Sequence, residues 1–165
     1  MMRVAMIAAL AMGGAFAANA YAQPDGTAEA AAPVAQTIVH DRAALARLRG
    51  NSGITLQWIS FEDPPNTVRR GHVTVTDRGD TIHINGVHRS RDGGAYVEVD
   101  GDIAEIGTDY FILDGTITIH DTPDAGRHCV KTGPSRFGVT QNRRYWRLRE
   151  FEWCDGLTDY IDIYF

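Results

Sequence analysis

Residues 95–120, AYVEVDGDIAEIGTDYFILDGTITIH, decide the fold class. Val97 and Val99 alternate with polar neighbours, Ile103 and Ile106 follow, and the pattern resumes with Phe111 and Leu113, then Ile117 and Ile119. A period of two sends one set of side chains to a buried face and the other to solvent, which is the mark of a half-buried antiparallel strand. Asp100-Gly101 and Asp114-Gly115 interrupt the runs. Asp-Gly between alternating segments is the strongest short-range hairpin signal, because both central residues of the favoured turn need φ > 0. The segment is therefore expected to be a meander that turns at those two dipeptides.

The same alternation extends in both directions. Val73 and Val75, a turn at Arg78-Gly79-Asp80, and Ile82 and Ile84 predict a further hairpin. From Gly53 the periodicity predicts a strand with Ile54, Leu56 and Trp58 on one face and Ile59 and Phe61 on the other. Asp63-Pro64-Pro65-Asn66 should end it, since two prolines remove donors and fix φ. Before that strand Asp41 reads as a helix N-cap and Gly50 as its stop, with Leu45 and Leu48 as a short apolar stripe. After the meander, strands are expected over 136–140, 144–151 and 159–165. About eight short antiparallel strands joined to their neighbours, with one short N-terminal helix, predict an up-and-down β-barrel, with a β-sandwich as the alternative.

Arg3 followed by an uncharged run from Val4 to Ala18, and then Ala20-Tyr21-Ala22, has the anatomy of a cleavable secretory signal peptide, with cleavage between Ala22 and Gln23. The run is too short and badly flanked for a membrane anchor, which needs about 20 apolar residues. A periplasmic or secreted protein is expected. Residues 23–36, QPDGTAEAAAPVAQ, read as a flexible tether, and 37–165 as a single β domain. An oxidising compartment makes Cys129 and Cys154 an expected disulfide rather than a nucleophile or metal-ligand pair.

The C-terminal stretch RRYWRLREFEWCDGLTDYIDIYF (143–165), with DYFILDGTITI (109–119) and GITLQWI (53–59), resembles a group of small exported proteobacterial proteins of uncharacterised function. The resemblance implies one whole domain and carries no activity, cofactor or catalytic residue.

The full chain has 16 basic and 21 acidic residues, a balance that argues against a nucleic-acid partner. Against it, residues 127–149 hold Arg127, Lys131, Arg136, Arg143, Arg144, Arg147 and Arg149 and no acid, with Phe137, Tyr145 and Trp146 interleaved. On a strand Tyr145, Arg147 and Arg149 share one face. Arg144, Tyr145, Arg147 and Arg149 are thus the candidate ligand-binding set, suited to a small anionic molecule or to an anionic envelope surface, because guanidinium forks match carboxylate and phosphate. The competing reading pairs these arginines with acids on adjacent strands, such as Asp159 and Asp162.

The histidines offer less. His72, His83 and His88 would have to converge to hold a metal such as zinc, and their spacing matches no metal motif. No metal and no cofactor is expected. A hydrolase with His83 or His120 as base is an alternative function, although neither G-x-S-x-G nor H-E-x-x-H is present. Asp121 and Asp124 lie in a turn composition first, and Asp155-Gly156 in another. Trp58, Trp146 and Trp153 either fill the core or line a cavity. A structural or interaction protein of the cell envelope is the third class. The alternation of Ile161 and Ile163 before Phe165 echoes outer-membrane barrels, but those need strands of about 9–11 residues and an apolar girdle.

Overall fold

The computed structural model describes residues 33–165. The expected signal peptide, its Ala22–Gln23 junction and most of the tether lie outside the described residues. Over these described residues the chain is mainly β, an antiparallel and nearly closed barrel with two short helices. Its elements are β1 (Ile38–Val39), α1 (Arg42–Arg49), β2 (Ile54–Leu56), α2 (Gln57–Phe61), β3 (His72–Arg78), β4 (Thr81–Arg89), β5 (Tyr96–Ile106), β6 (Tyr110–His120), β7 (His128–Gly138), β8 (Tyr145–Leu148) and β9 (Ile161–Tyr164).

From β3 to β9 each strand pairs antiparallel with the next in sequence. The early strand β2 then adds to the outer edge of β9, Ile54 opposite Ile163. Closure comes from one bridge, in which Ile54 and Gly71 exchange backbone hydrogen bonds at 3.3 and 2.8 Å just before β3. Because the meander alternates direction, the β3–β4, β5–β6 and β7–β8 connections share one end of the barrel. The β4–β5, β6–β7 and β8–β9 connections share the other. Helix α1 lies at the first end and α2 at the second. Strand β1 runs parallel to the end of β5, where the Thr37 hydroxyl donates to the Ile103 carbonyl at 2.6 Å and accepts from the Ile82 amide at 2.8 Å.

The Asp-Gly dipeptides are not turns. Asp100-Gly101 and Asp114-Gly115 sit in the middle of two 11-residue strands, and the chain reverses between them, over residues 107–109. Gly101 stands directly opposite Gly115, and Gly115 opposite Gly133. A Cβ built on Gly115 would lie 2.2 Å from the Asp100 carbonyl oxygen, and one on Gly101 would lie 2.5 Å from Asp114 O. The two backbones approach more closely than any side chain allows, and this is the second common use of a strand glycine. The hairpin signal and the close-approach signal are identical in sequence; only the partner strand separates them.

Strand β2 is also shorter than expected. After Leu56 the chain enters α2, and the Gln57 side-chain amide takes over the pairing by donating to the Thr158 carbonyl. The segment 144–151 is regular only over Tyr145–Leu148. The helix at 42–49 forms as expected. Asp41 caps it by accepting from the amides of Ala43 and Ala44 at 2.7 and 3.1 Å, worth about 1 kcal/mol. Ala44, Leu45 and Leu48 join the core.

That core is a single cluster inside the wall. Phe111 stacks on its cross-strand partner Phe137 with centroids 4.8 Å apart, and Trp146 meets Phe111 edge-on at 6.0 Å. Such pairs add about 0.5–1.5 kcal/mol beyond the area they bury. Trp146 is fully buried, and Trp58 and Trp153 pack against the cluster, so the three tryptophans fill the core.

Candidate functional site

Strands β7 and β8 carry the arginine-rich stretch, and the structure sorts its members into three environments. Trp146 and Leu148 point inward, so Tyr145, Arg147 and Arg149 lie on the outer wall. Arg147 grips Asp162 of β9 with two parallel hydrogen bonds of 2.7 Å, and its guanidinium lies 4.0 Å from the ring centre of Tyr160. This Asp162 contact holds its pKa above the usual arginine value. Arg149 lies over Phe151 at 5.3 Å.

Arg127 occupies the second environment, at the α2 end. Its five N–H donors all have acceptors. The Nε and one amino nitrogen bond Asp155 at 2.8 and 2.9 Å, Asp159 takes two bonds at 2.9 and 3.0 Å, and the Thr122 carbonyl takes one at 3.0 Å. Asp159 is fully buried and also accepts from the Trp58 indole at 2.9 Å. The Asp155 contact first, and Asp159 after it, push the Arg127 pKa up. Nearby, Asp63 accepts from the Arg69 amide and from Arg91, which together hold its pKa below the ordinary carboxylate value. The Cys129–Cys154 disulfide closes this end, with Cα atoms 6.0 Å apart.

The third environment is at the α1 end. Thr140–Arg143 forms a tight turn, in which the Arg143 amide bonds the Thr140 carbonyl at 3.2 Å, with Gln141 at φ 55° and Asn142 at φ 54°. Two consecutive left-handed residues are costly without glycine, and such strain concentrates at functional sites. The turn places Asn142, Arg143 and Arg144 on one side of a cleft of about 440 Å³. Thr108 and Asp109 of the β5–β6 connection, Val139, the Phe165 ring and Arg47 of α1 complete its lining. One Arg47 amino nitrogen donates to the Thr108 carbonyl at 2.5 Å, and its guanidinium sits 5.3 Å from the Phe165 ring centre. Its Nε has no acceptor among the described residues. Arg143 donates to the Tyr145 hydroxyl at 2.5 Å. Among the described residues none of Arg47, Arg143 and Arg144 pairs with a carboxylate.

Of the four residues singled out from the sequence, only Arg144 lines this cleft. Tyr145 reaches it indirectly by holding Arg143, while Arg147 and Arg149 stay on the outer wall. Arg47 was missed. It lies in another element, almost a hundred positions earlier, and its only sequence signal is a basic last turn of α1, the ordinary complement of a helix C-terminus.

The histidines do not converge. His72 is exposed beside Thr74, and His88 points into the core, where its Nδ1 accepts from the Leu56 amide at 3.1 Å. Burial lowers the His88 pKa. His83 lies on the outer wall, with Asp102 2.9 Å from Nδ1 and Asp100 3.2 Å from Nε2. Both ring nitrogens face carboxylate oxygens, so neither is turned toward an open site. His120 stands outward between Tyr96 and His128, with Asp121 at 3.1 Å. Neither His83 nor His120 lines the cleft. No helix among the described residues is long and apolar enough to cross a membrane.

A family model described as the PM1083 family matches residues 36–165, and the chain belongs to that family. It is similar to a protein of Pasteurella multocida (strain Pm70) named as the uncharacterized protein PM1083, at 32% identity over 121 residues, covering 72% of this chain and 74% of that protein. No solved structure matches.

Proposed function

We propose that this PM1083-family barrel is an exported binding module, periplasmic or secreted, for a small anionic ligand held in the cleft at its α1 end. One observation carries the reading: three guanidiniums from two distant elements, none with a carboxylate partner among the described residues, line one cleft of about 440 Å³. Grouped like charges repel one another, and a bound anion relieves that repulsion. Arginine forks supply directional bonds to carboxylate or phosphate oxygens, and the Phe165 ring and Val139 supply the apolar contact that a small ligand's carbon atoms require. The volume suits a compact molecule. Export rests on the sequence pattern around Arg3 and Ala20–Ala22.

Titration of the purified protein with phosphate and small carboxylates, read by calorimetry and by thermal unfolding, tests this. An anion that binds raises the unfolding temperature in proportion to the logarithm of its concentration. Arg144→Ala and Arg47→Ala should each weaken that binding at least ten-fold, whereas Arg149→Ala should leave it within two-fold. No binding by any anion, or unchanged affinity in Arg144→Ala, sinks the proposal.

A further inference from the structure

The charges and acceptors of this cleft select among anions. Resting on the function proposed above, we infer that the ligand is a dianion carrying a hydroxyl or amine donor beside its charged groups. Arg47, Arg143 and Arg144 bring three guanidiniums, and Asp109 is the one side-chain carboxylate in the lining. The cations are also divided. Arg47 is mounted on α1 and fixed by its bond to the Thr108 carbonyl, while Arg143 and Arg144 belong to the turn after β7. Two separate anchors fit two oxyanion groups, or one doubly charged phosphate and its ester oxygen.

Asp109 supplies the second half of the inference. A carboxylate is an acceptor only. Among the described residues the Asp109 side chain takes part in no hydrogen bond and no ion pair, although three guanidiniums share its cleft. Beside a bound anion it repels unless a donor intervenes, and a ligand hydroxyl or amine provides one. A site built around such an acceptor rejects the analogue that lacks the donor more strongly than an apolar pocket rejects a missing methylene. The class is therefore a hydroxy-dicarboxylate or the phosphate ester of a polyol, free or as a headgroup.

Two matched pairs test the class by calorimetry on the purified protein. Malate and succinate have the same charge and differ by one hydroxyl; glycerol 3-phosphate and propyl phosphate have the same charge and differ by two. Lactate keeps the hydroxyl and halves the charge. The hydroxylated member of at least one pair should bind ten-fold tighter than its partner, and lactate should bind at least ten-fold more weakly than malate. In Asp109→Ala the preference within the pair should vanish while the plain dianion binds as well as before or better. Asp109→Asn, which keeps an acceptor oxygen, should retain part of the preference. Equal affinity within both pairs, lactate equal to malate, or a preference that survives Asp109→Ala overturns this inference while leaving anion binding in place. If other anions bind at Arg144 and none of these five does, the inference also falls. If no anion binds at all, the function proposed above falls with it. Vesicles bearing a glycerophosphate headgroup then separate a lipid source from a free one: sedimentation with vesicles, competed by glycerol 3-phosphate, marks the headgroup.

Discussion

At the α2 end of the barrel Arg127 is enclosed, and every one of its N–H donors meets an oxygen of Asp155, Asp159 or Thr122. At the α1 end Arg144 stands exposed on a turn and forms no ion pair with a carboxylate among the described residues, and two more arginines share its cleft. Both residues come from one arginine-rich stretch of sequence. What separates them is the position of the acids. Asp155 and Asp159 enter from the β8–β9 connection and meet Arg127, whereas Asp162 on β9 faces outward and meets Arg147 instead. Run composition says that a protein has gathered cations; only the strand order says which of them are already neutralised.

The largest expected effect comes from the enclosed arginine. Arg127→Met leaves the fully buried Asp159 side chain with Trp58 as its one hydrogen-bond partner among the described residues, and breaking a buried pair this way costs about 3–5 kcal/mol. Urea unfolding should show that loss. Adding Asp159→Leu should recover much of it, because removing both partners of a buried pair is far cheaper than removing one. A single variant that unfolds within about 1 kcal/mol of the parent would make the two ends equivalent and break the comparison.

Next in size is the disulfide. Strand β7 is paired with β6 along its whole length, but with β8 only at Phe137 and Gly138. Its first half is tied to the β8–β9 connection by Cys129–Cys154 rather than by a ladder. Closing a loop of 25 residues contributes about 3 kcal/mol in the chain-entropy account. Replacing both cysteines with serine should lower stability by about that much. Amide exchange should quicken around Cys129–Lys131 before it does around Phe137. Uniform loss of protection along β7 would show that the clamp acts on the whole wall rather than on this end.

The architecture was largely legible in the sequence, and the reasons are local. A period of two marked β3 to β6, and Asp41 with Gly50 bounded α1, because alternation and capping are written within a few residues of the structure they produce. The turn positions in the meander were misread because the close approach of Gly101 to Gly115 depends on a strand pairing that no local signal records. The cleft was half legible. Arg144 belonged to a visible cluster, but Arg47 reaches it only because α1 lies across the end that the β5–β6 and β7–β8 connections form. The left-handed Gln141 and Asn142 gave no warning, since neither is a glycine.

A smaller effect separates the ends by pH. His88 is buried and neutral, its Nδ1 is occupied by the Leu56 amide, and burial puts its pKa below the ordinary 6.5. The unfolded chain therefore takes up a proton near pH 6.5 that the folded chain refuses. Stability is complete above that value and declines as the pH falls from 6.5 toward the lower folded value, by at most about 1.4 kcal/mol per pH unit. Asp63 and Asp155, whose pKa values are lowered, contribute stability that is present above the unfolded carboxylate value near 3.8 and is lost only as the pH falls below it. The window just below pH 6.5, above the range in which the carboxylates titrate, is then the one in which His88 acts. Urea midpoints at pH 7.5 and 5.5 should differ in the parent and converge in His88→Gln; an equal drop in both would remove His88 from the account.

The smallest effect on stability is expected where the effect on binding is largest. Arg144→Ala removes an exposed side chain without a hydrogen-bonded partner among the described residues, so unfolding should shift by no more than about 0.5 kcal/mol. Arg147→Ala makes the useful contrast on the same short strand region. It strips Asp162, itself almost buried, of a bidentate partner and should cost more than Arg144→Ala while sparing anion affinity. The two variants thus move stability and binding in opposite proportions. If Arg144→Ala destabilises as much as Arg147→Ala, the guanidinium at the cleft is a structural group like the other, and the distinction between the two ends disappears. If instead it leaves stability intact and abolishes the rise in unfolding temperature produced by an anion, the exposed arginine is kept for a partner that the barrel itself does not supply.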